Sequence, residues 1–82
     1  MPTVLRIFGL RVVIYPNDHR PEHVHVIGGG AEAVFLLNCS EGNVILRENF
    51  GFSLRDINRI EHALNGANVE LCRSWESIHG RP

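Results

Sequence analysis

A turn leads into a β-strand within residues 17–26, which read Asn17-Asp18-His19-Arg20-Pro21-Glu22-His23-Val24-His25-Val26. Three of the five histidines of the chain lie in this stretch. Pro21 keeps the residue before it out of the helical region, and from position 23 onward polar and apolar side chains alternate. Successive side chains of a strand point to opposite faces, so we expect Val24 and Val26 on the core side. His23 and His25 should then lie on the other face, away from any covering helix.

Five short segments rich in β-branched and aromatic residues predict a sheet of about five strands. They are residues 3–8, 11–15, 23–27, 32–37 and 44–48. Gly9-Leu10 predicts a tight hairpin turn between the first two segments, and Gly28-Gly29-Gly30 predicts another, because glycine adopts positive φ without strain. A meander, in which each strand pairs with the next along the chain, is the simplest connection.

The hydrophobic period becomes helical after Gly51. Ser53 followed by Asp56 resembles a capping box, and Gly66 is expected to close this helix in the left-handed conformation. A second helix is predicted from Asn68 to about residue 80. Strands first and helices last predict a single α+β domain over residues 1–82, in which both helices pack on one face of an antiparallel sheet.

The composition is that of an ordinary globular protein, with 44% hydrophobic and 21% charged residues. The sequence shows neither a membrane span nor a secretory signal, so we expect a cytoplasmic protein without membrane contact. In a reducing compartment Cys39 and Cys72 should be free, buried apolar residues. The formal net charge of −1 argues against non-specific binding to DNA.

All eight basic residues are arginine. The absence of lysine excludes a Schiff-base lysine and a phosphate-loop lysine. The planar guanidinium group binds carboxylates and phosphates through two parallel N–H bonds. We therefore expect arginine to bind any anionic substrate or partner of this chain.

The first interpretation of the histidines in residues 17–26 is that they form a metal-binding site. Two histidines two residues apart on a strand can reach one ion, and His19 or Asp18 from the loop could supply a third ligand beside a water. We take His19, His23 and His25 as the candidate ligands, for zinc or another divalent transition metal.

A metal-free acid–base site is the second interpretation, because imidazole exchanges protons near neutral pH. His23 and His25 would act as acid and base, and Asp18 would orient one of them. An arginine, Arg47 or Arg11, would hold a phosphate group, as a ribonuclease requires.

A structural role is the third interpretation. The histidines would then donate hydrogen bonds to the backbone or to carboxylates such as Glu22, Glu32 or Glu48.

The first predicted helix carries a basic stripe that would suit an acidic partner. Arg55, Arg59 and His62 share the face opposite the apolar positions, at the spacing i, i+4, i+7. The two helices also suggest a helix-turn-helix, but Glu70 and Glu76 on the second helix would repel phosphate, so DNA is the least favoured partner.

The chain opens with Met1-Pro2-Thr3-Val4-Leu5-Arg6, carries Tyr15-Pro16 before residues 17–26, and closes with Trp75 and His79-Gly80. Its most specific part is the string Asp-His-x-Pro-x-His-x-His, from Asp18 to His25. In these segments the chain resembles the small bacterial family known as domain of unknown function 4160. The resemblance implies a small bacterial protein suspected of belonging to toxin–antitoxin gene pairs, and it implies no established reaction.

We therefore expect a cytoplasmic bacterial protein that binds a partner protein encoded nearby, as one component of a toxin–antitoxin-like pair. The alternative is a histidine-based enzyme, either a metal-independent ribonuclease or a metal-dependent hydrolase. RNA is the expected nucleic-acid partner of the first of these enzymes. An unpaired edge strand of the sheet would allow a homodimer.

Overall fold

The computed structural model describes residues 3–80, which form a five-stranded antiparallel sheet followed by two helices. The strands pair in chain order, so the predicted α+β meander is confirmed. Met1 and Pro2 of the family-like opening segment lie outside the described residues. The elements are β1 (Thr3–Ile7), β2 (Leu10–Val13), β3 (His23–Gly28), β4 (Ala31–Leu36), β5 (Ile45–Phe50), α1 (Leu54–Gly66) and α2 (Asn68–His79).

One face of the sheet packs against both helices. Val24 and Val26 are fully buried, and they share a hydrophobic core with Phe35 of β4, Leu64 of α1 and Trp75 of α2. Burying a large apolar side chain contributes about 1.5–3 kcal/mol, and this core holds the helices on the sheet. The predicted core side of β3 is confirmed.

The other face of the sheet, called the open face below, carries the alternate residues of the same strands. Cross-strand pairing places one row at Thr3, Val13, His25, Val34 and Glu48, and the next row at Arg6, Arg11, Ile27, Glu32 and Phe50. Residues directly opposite each other share a face, so charged side chains and a histidine collect here.

The first hairpin turns at Phe8-Gly9, one residue earlier than predicted. Both residues have positive φ, 50° and 76°, as a two-residue type I′ turn requires. This conformation costs phenylalanine energy, but its ring lies beneath the guanidinium of Arg59, with Cζ 4.2 Å from the centroid. A cation–π contact at an exposed site contributes about 0.5–1 kcal/mol and offsets part of that strain. The second hairpin turns at Gly29-Gly30, within the predicted glycine run.

Ser53 begins α1 as predicted, because its hydroxyl accepts the N–H of Asp56 at 3.1 Å. The prediction that Gly66 closes this helix in the left-handed conformation is wrong. Ala67 occupies the cap with φ −112°, and its N–H donates to the carbonyl of Leu64 at 3.1 Å. Ala67 alone therefore separates the two helices. Within residues 3–80, neither helix is long and apolar enough to cross a bilayer.

Two asparagines fasten the helices to the end of the sheet. Asn68 is buried and donates from Nδ2 to the carbonyl of Leu37 at 2.7 Å, while Oδ1 of Asn65 accepts the N–H of Val44 at 2.7 Å. A buried backbone group left without a partner costs about 1–3 kcal/mol. These bonds satisfy the backbone where the chain leaves β4 and approaches β5.

Cys39 and Cys72 form a disulfide, with Cα atoms 6.1 Å apart. The expectation of two free, buried cysteines is wrong, and both residues are only partly buried. The connection after β4 brings Cys39 beside α2, at a separation that a disulfide spans. The cross-link joins the β4–β5 connection to the second helix.

Alkylation of the folded, unreduced protein should leave both cysteines unmodified, as mass spectrometry would show. The cross-link spans 33 residues, and reduction should lower the free energy of unfolding by about 2–4 kcal/mol in urea denaturation. The double variant Cys39→Ser/Cys72→Ser is the control, and its stability should not respond to reductant. Two modified thiols in the untreated native protein would contradict the cross-link.

Candidate metal centre

Tyr15 to Asp18 form a tight turn after β2. The N–H of Asp18 donates to the carbonyl of Tyr15 at 3.0 Å, and the N–H of Tyr15 donates to Oδ2 of Asp18 at 2.9 Å. Pro16 occupies the second position of the turn, where its fixed φ is favourable. The reciprocal bonds hold the Asp18 carboxylate through one oxygen and leave Oδ1 facing the histidines.

The C-terminal end of α2 holds this turn in place. Nε2 of His79 donates to the carbonyl of Tyr15 at 3.1 Å, and the guanidinium of Arg20 donates to the carbonyl of Gly80 at 3.0 Å. The His79 ring stacks on that of Trp75, one helical turn earlier, with centroids 4.0 Å apart. The loop that carries Asp18 is thus attached to the helix at two points.

His23 begins β3 and is buried. Its Nδ1 lies 2.8 Å from the carbonyl of Pro21, and because a carbonyl oxygen only accepts, Nδ1 carries the proton. Its ring also lies 5.4 Å from that of Trp75, between centroids. The expectation that both histidines lie away from the helices is therefore wrong for His23, because the end of α2 reaches the start of β3.

His25 follows two residues later, on the open face. Its Nδ1 lies 3.1 Å from Oε2 of Glu32, and an ionised carboxylate only accepts, so this Nδ1 also donates. The ring makes an edge contact with Tyr15, with centroids 4.9 Å apart. Metal-binding histidines usually donate their second ring N–H to a carbonyl or carboxylate in this way. The second ring nitrogen of both histidines, Nε2, faces Oδ1 of Asp18, and Nε2 of His25 is within hydrogen-bond distance of it at 3.3 Å.

Three atoms converge at this site: Nε2 of His23, Nε2 of His25 and Oδ1 of Asp18. Oδ1 lies 3.3 Å from the nitrogen of His25 and 3.5 Å from that of His23, and all three atoms lie within 4.8 Å of one another. Tetrahedral ligands about 2.0–2.1 Å from a zinc ion are about 3.3–3.4 Å apart. Two of the three separations are therefore close to those that a shared ion requires.

The chemistry of the cluster suits a cation. Two ring nitrogens face one carboxylate oxygen, so either a proton on a nitrogen or a metal ion between the three atoms has to link them. The side chains of Asp18, His23 and His25 are 13%, 9% and 16% exposed, so a bound ion would be shielded but still reachable from solvent.

The structure does not bring His19 into the site, because His19 is exposed on the loop. The turn that directs Asp18 toward β3 leaves the following residue outside. The candidate ligands are therefore Asp18, His23 and His25, in place of the predicted set with His19.

Arg47 also lies outside the site, although the sequence suggested it as a catalytic residue. It is exposed and falls at the irregularity in β5, between Leu46, opposite Phe35, and Glu48, opposite Val34. β4 separates β5 from β3, which puts the two strands about 10 Å apart.

The basic stripe on α1 is exposed, as its spacing predicts. Arg55 and His62 are exposed, and Arg59 lies over Phe8 and 3.8 Å from Asp56. Arg59 thus already has neighbours in its own chain, and partner contact by Arg55, Arg59 and His62 stays a prediction.

A family model described as Domain of unknown function (DUF4160) matches residues 9–76. The chain belongs to the DUF4160 family. The match includes Asp18, both site histidines and Trp75, so the candidate metal centre of this DUF4160 protein lies within the shared region. Neither the curated proteins nor the solved structures include a match.

Glu32→Gln should weaken binding of a divalent transition metal about 10–100-fold, the usual effect of losing the partner of a ligand histidine. The amide can turn its NH₂ toward Nδ1 of His25, and it no longer fixes the tautomer. The measurement is a competitive titration of zinc against a chromophoric chelator. Glu48→Gln, an exposed residue of the open face, is the matched control. Equal affinities for the two variants would contradict a role for Glu32.

Proposed function

We propose that this DUF4160 protein is a metal-dependent hydrolase whose ion binds Asp18, His23 and His25. One observation carries the proposal. Nδ1 of each histidine is hydrogen-bonded to a fixed acceptor, and this turns both Nε2 atoms toward Oδ1 of Asp18. Two imidazoles and one carboxylate form a donor set that suits zinc and its neighbours among the divalent transition metals.

The three ligands leave room for a water molecule on the ion, which is the arrangement that catalytic sites use. A bound divalent ion would lower the pKa of such a water to about 7 and thereby supply hydroxide near neutral pH. The contribution of the chain itself is to position the ligand side chains. Pro21 and Glu32 orient the two imidazoles, and the turn at Tyr15 orients Asp18.

Acid–base catalysis without a metal is the competing use of the same residues, as in a ribonuclease. In that case a proton takes the place of the ion between Asp18 and the histidines. Hydrolytic activity that is lost on chelation and restored by zinc supports the metal. Activity that survives complete chelation would overturn the metal-dependent proposal and favour the acid–base site.

Trp75 makes metal binding directly measurable, because it is the only tryptophan and its ring lies 5.4 Å from that of His23. Zinc or cobalt added to the metal-free protein should change its fluorescence with a stoichiometry of about one ion per chain. Asp18→Asn replaces a carboxylate ligand by an amide, and His25→Ala removes an imidazole ligand. Loss of a supporting residue weakens metal binding about 10–100-fold, and each of these two variants should weaken it further.

Two histidine variants serve as controls for this titration. His19→Ala tests the ligand expected from sequence, and His62→Ala removes an exposed histidine of α1. Both should bind the ion like the wild type. A wild type that binds no ion, or a His19→Ala variant as impaired as His25→Ala, would overturn the proposal.

A second candidate function is binding to a protein encoded nearby, as half of a toxin–antitoxin-like pair. One observation favours it: β5 is an edge of the sheet, and all six of its residues are exposed. They include Ile45, Leu46 and Phe50, which are 47%, 38% and 59% exposed. An unpaired edge with apolar side chains can accept a strand from another chain.

Co-expression with the product of the adjacent open reading frame tests this function. We expect a complex that survives affinity purification and that Leu46→Pro abolishes, because proline removes a backbone donor from the edge. Val69→Ser, which removes an exposed apolar residue of α2, is the control. A chain that purifies alone as a monomer would contradict partner binding, and a dimer of this chain would replace that partner with a second copy.

A further inference from the structure

Two arginines lie directly opposite each other on the open face. Arg6 of β1 pairs with Arg11 of β2 in the antiparallel register. Like charges in this position repel and destabilise the strand pair. Within residues 3–80 neither guanidinium has an ion pair with a carboxylate. Among the described residues, no carboxylate therefore neutralises the two arginines, so their pairing does not stabilise the sheet.

The guanidinium of Arg11 also lacks a hydrogen-bond acceptor. Its Nε is buried and has no hydrogen-bond partner among the described residues. A buried donor without a partner costs about 1–3 kcal/mol, and a native structure seldom keeps one unless something else meets it. An anion that bridges the two guanidiniums would accept from them and remove their repulsion.

Arg11 lies close to His25, one of the candidate metal ligands. Val13 is the cross-strand neighbour of His25, and Arg11 lies two residues from Val13 on the same face. Such diagonal neighbours have Cα atoms about 7–8 Å apart, within reach of a long side chain. Arg11 is thus a near neighbour of His25, and an anion bound by the two arginines would lie on the same face of the sheet as this candidate ligand.

We propose that Arg6 and Arg11 bind the phosphate group of a phosphate ester, which is the substrate of the site at Asp18, His23 and His25. This inference rests on the proposed hydrolase function. Two guanidiniums match the several negatively charged oxygens of a phosphate group better than they match the two oxygens of a carboxylate.

The reaction is hydrolysis of the ester. A water oxygen forms a bond to phosphorus, and the bond from phosphorus to the ester oxygen breaks, with its electron pair leaving on that oxygen. The departing oxygen takes one proton from the attacking water. The products are an alcohol and a phosphate with one more oxygen from water, so no oxidant, reductant or second co-substrate is needed.

The test measures zinc and inorganic phosphate separately, in the same variants. Arg11→Gln should bind zinc like the wild type, while the zinc-loaded variant should bind phosphate about tenfold or more weakly, as expected for lost bonds to a charged group. Arg6→Gln, an exposed substitution that poses little risk to folding, should also weaken phosphate binding. Arg73→Gln, an exposed substitution on α2, is the matched control and should change neither affinity.

The results separate the two proposals. A wild type that binds no zinc overturns the hydrolase proposal. Titration of the metal-free chain with phosphate then still shows whether Arg6 and Arg11 bind an anion. Equal phosphate affinity in the wild type, Arg6→Gln and Arg11→Gln overturns the arginine assignment, as does equal affinity for phosphate and acetate.

Turnover identifies the source of the phosphate group. Arg11-dependent cleavage of p-nitrophenyl phosphate indicates a monoester, and cleavage of bis(p-nitrophenyl) phosphate indicates a diester such as a nucleic-acid linkage. Cleavage of neither compound by the zinc-loaded wild type overturns phosphate esters as the substrate class.

Discussion

Asp18 joins the fold and the candidate site because its two carboxylate oxygens do different things. Oδ2 accepts the N–H of Tyr15 and thereby closes the turn after β2, while Oδ1 faces Nε2 of both histidines. A carboxylate held by its own turn has little freedom to move, so the position of Oδ1 follows from the turn. Preorganisation of this kind keeps ligand atoms together before any ion arrives.

The second helix supports the site although none of its residues is a candidate ligand. Trp75 anchors the helix in the core and contacts His23, and His79 stacks on Trp75 while it donates to the carbonyl of Tyr15. The end of α2 thus contacts both the start of β3 and the turn that carries Asp18. A change in the packing of this helix should therefore move ligand atoms that are remote from it in sequence.

Much of the fold could be predicted because its signals are local. Alternation in β3, the glycines between β3 and β4 and the cap at Ser53 each depend on a few neighbouring residues. The site was predicted only in part: the sequence suggested the histidines, but the choice of Asp18 over His19 depends on a side-chain bond to Tyr15. The disulfide and the Arg6–Arg11 pair depend on contacts between separate elements, which no local pattern specifies.

X-ray absorption at the zinc edge, on the protein loaded with one equivalent of zinc, is the most direct measurement of the central claim. We predict only nitrogen and oxygen ligands at about 2.0–2.1 Å, with the outer-shell scattering of two imidazole rings. The same spectrum from His25→Ala should lose one imidazole. A sulfur ligand at about 2.3 Å, or a shell of water oxygens without imidazole, would contradict a metal centre built from Asp18, His23 and His25.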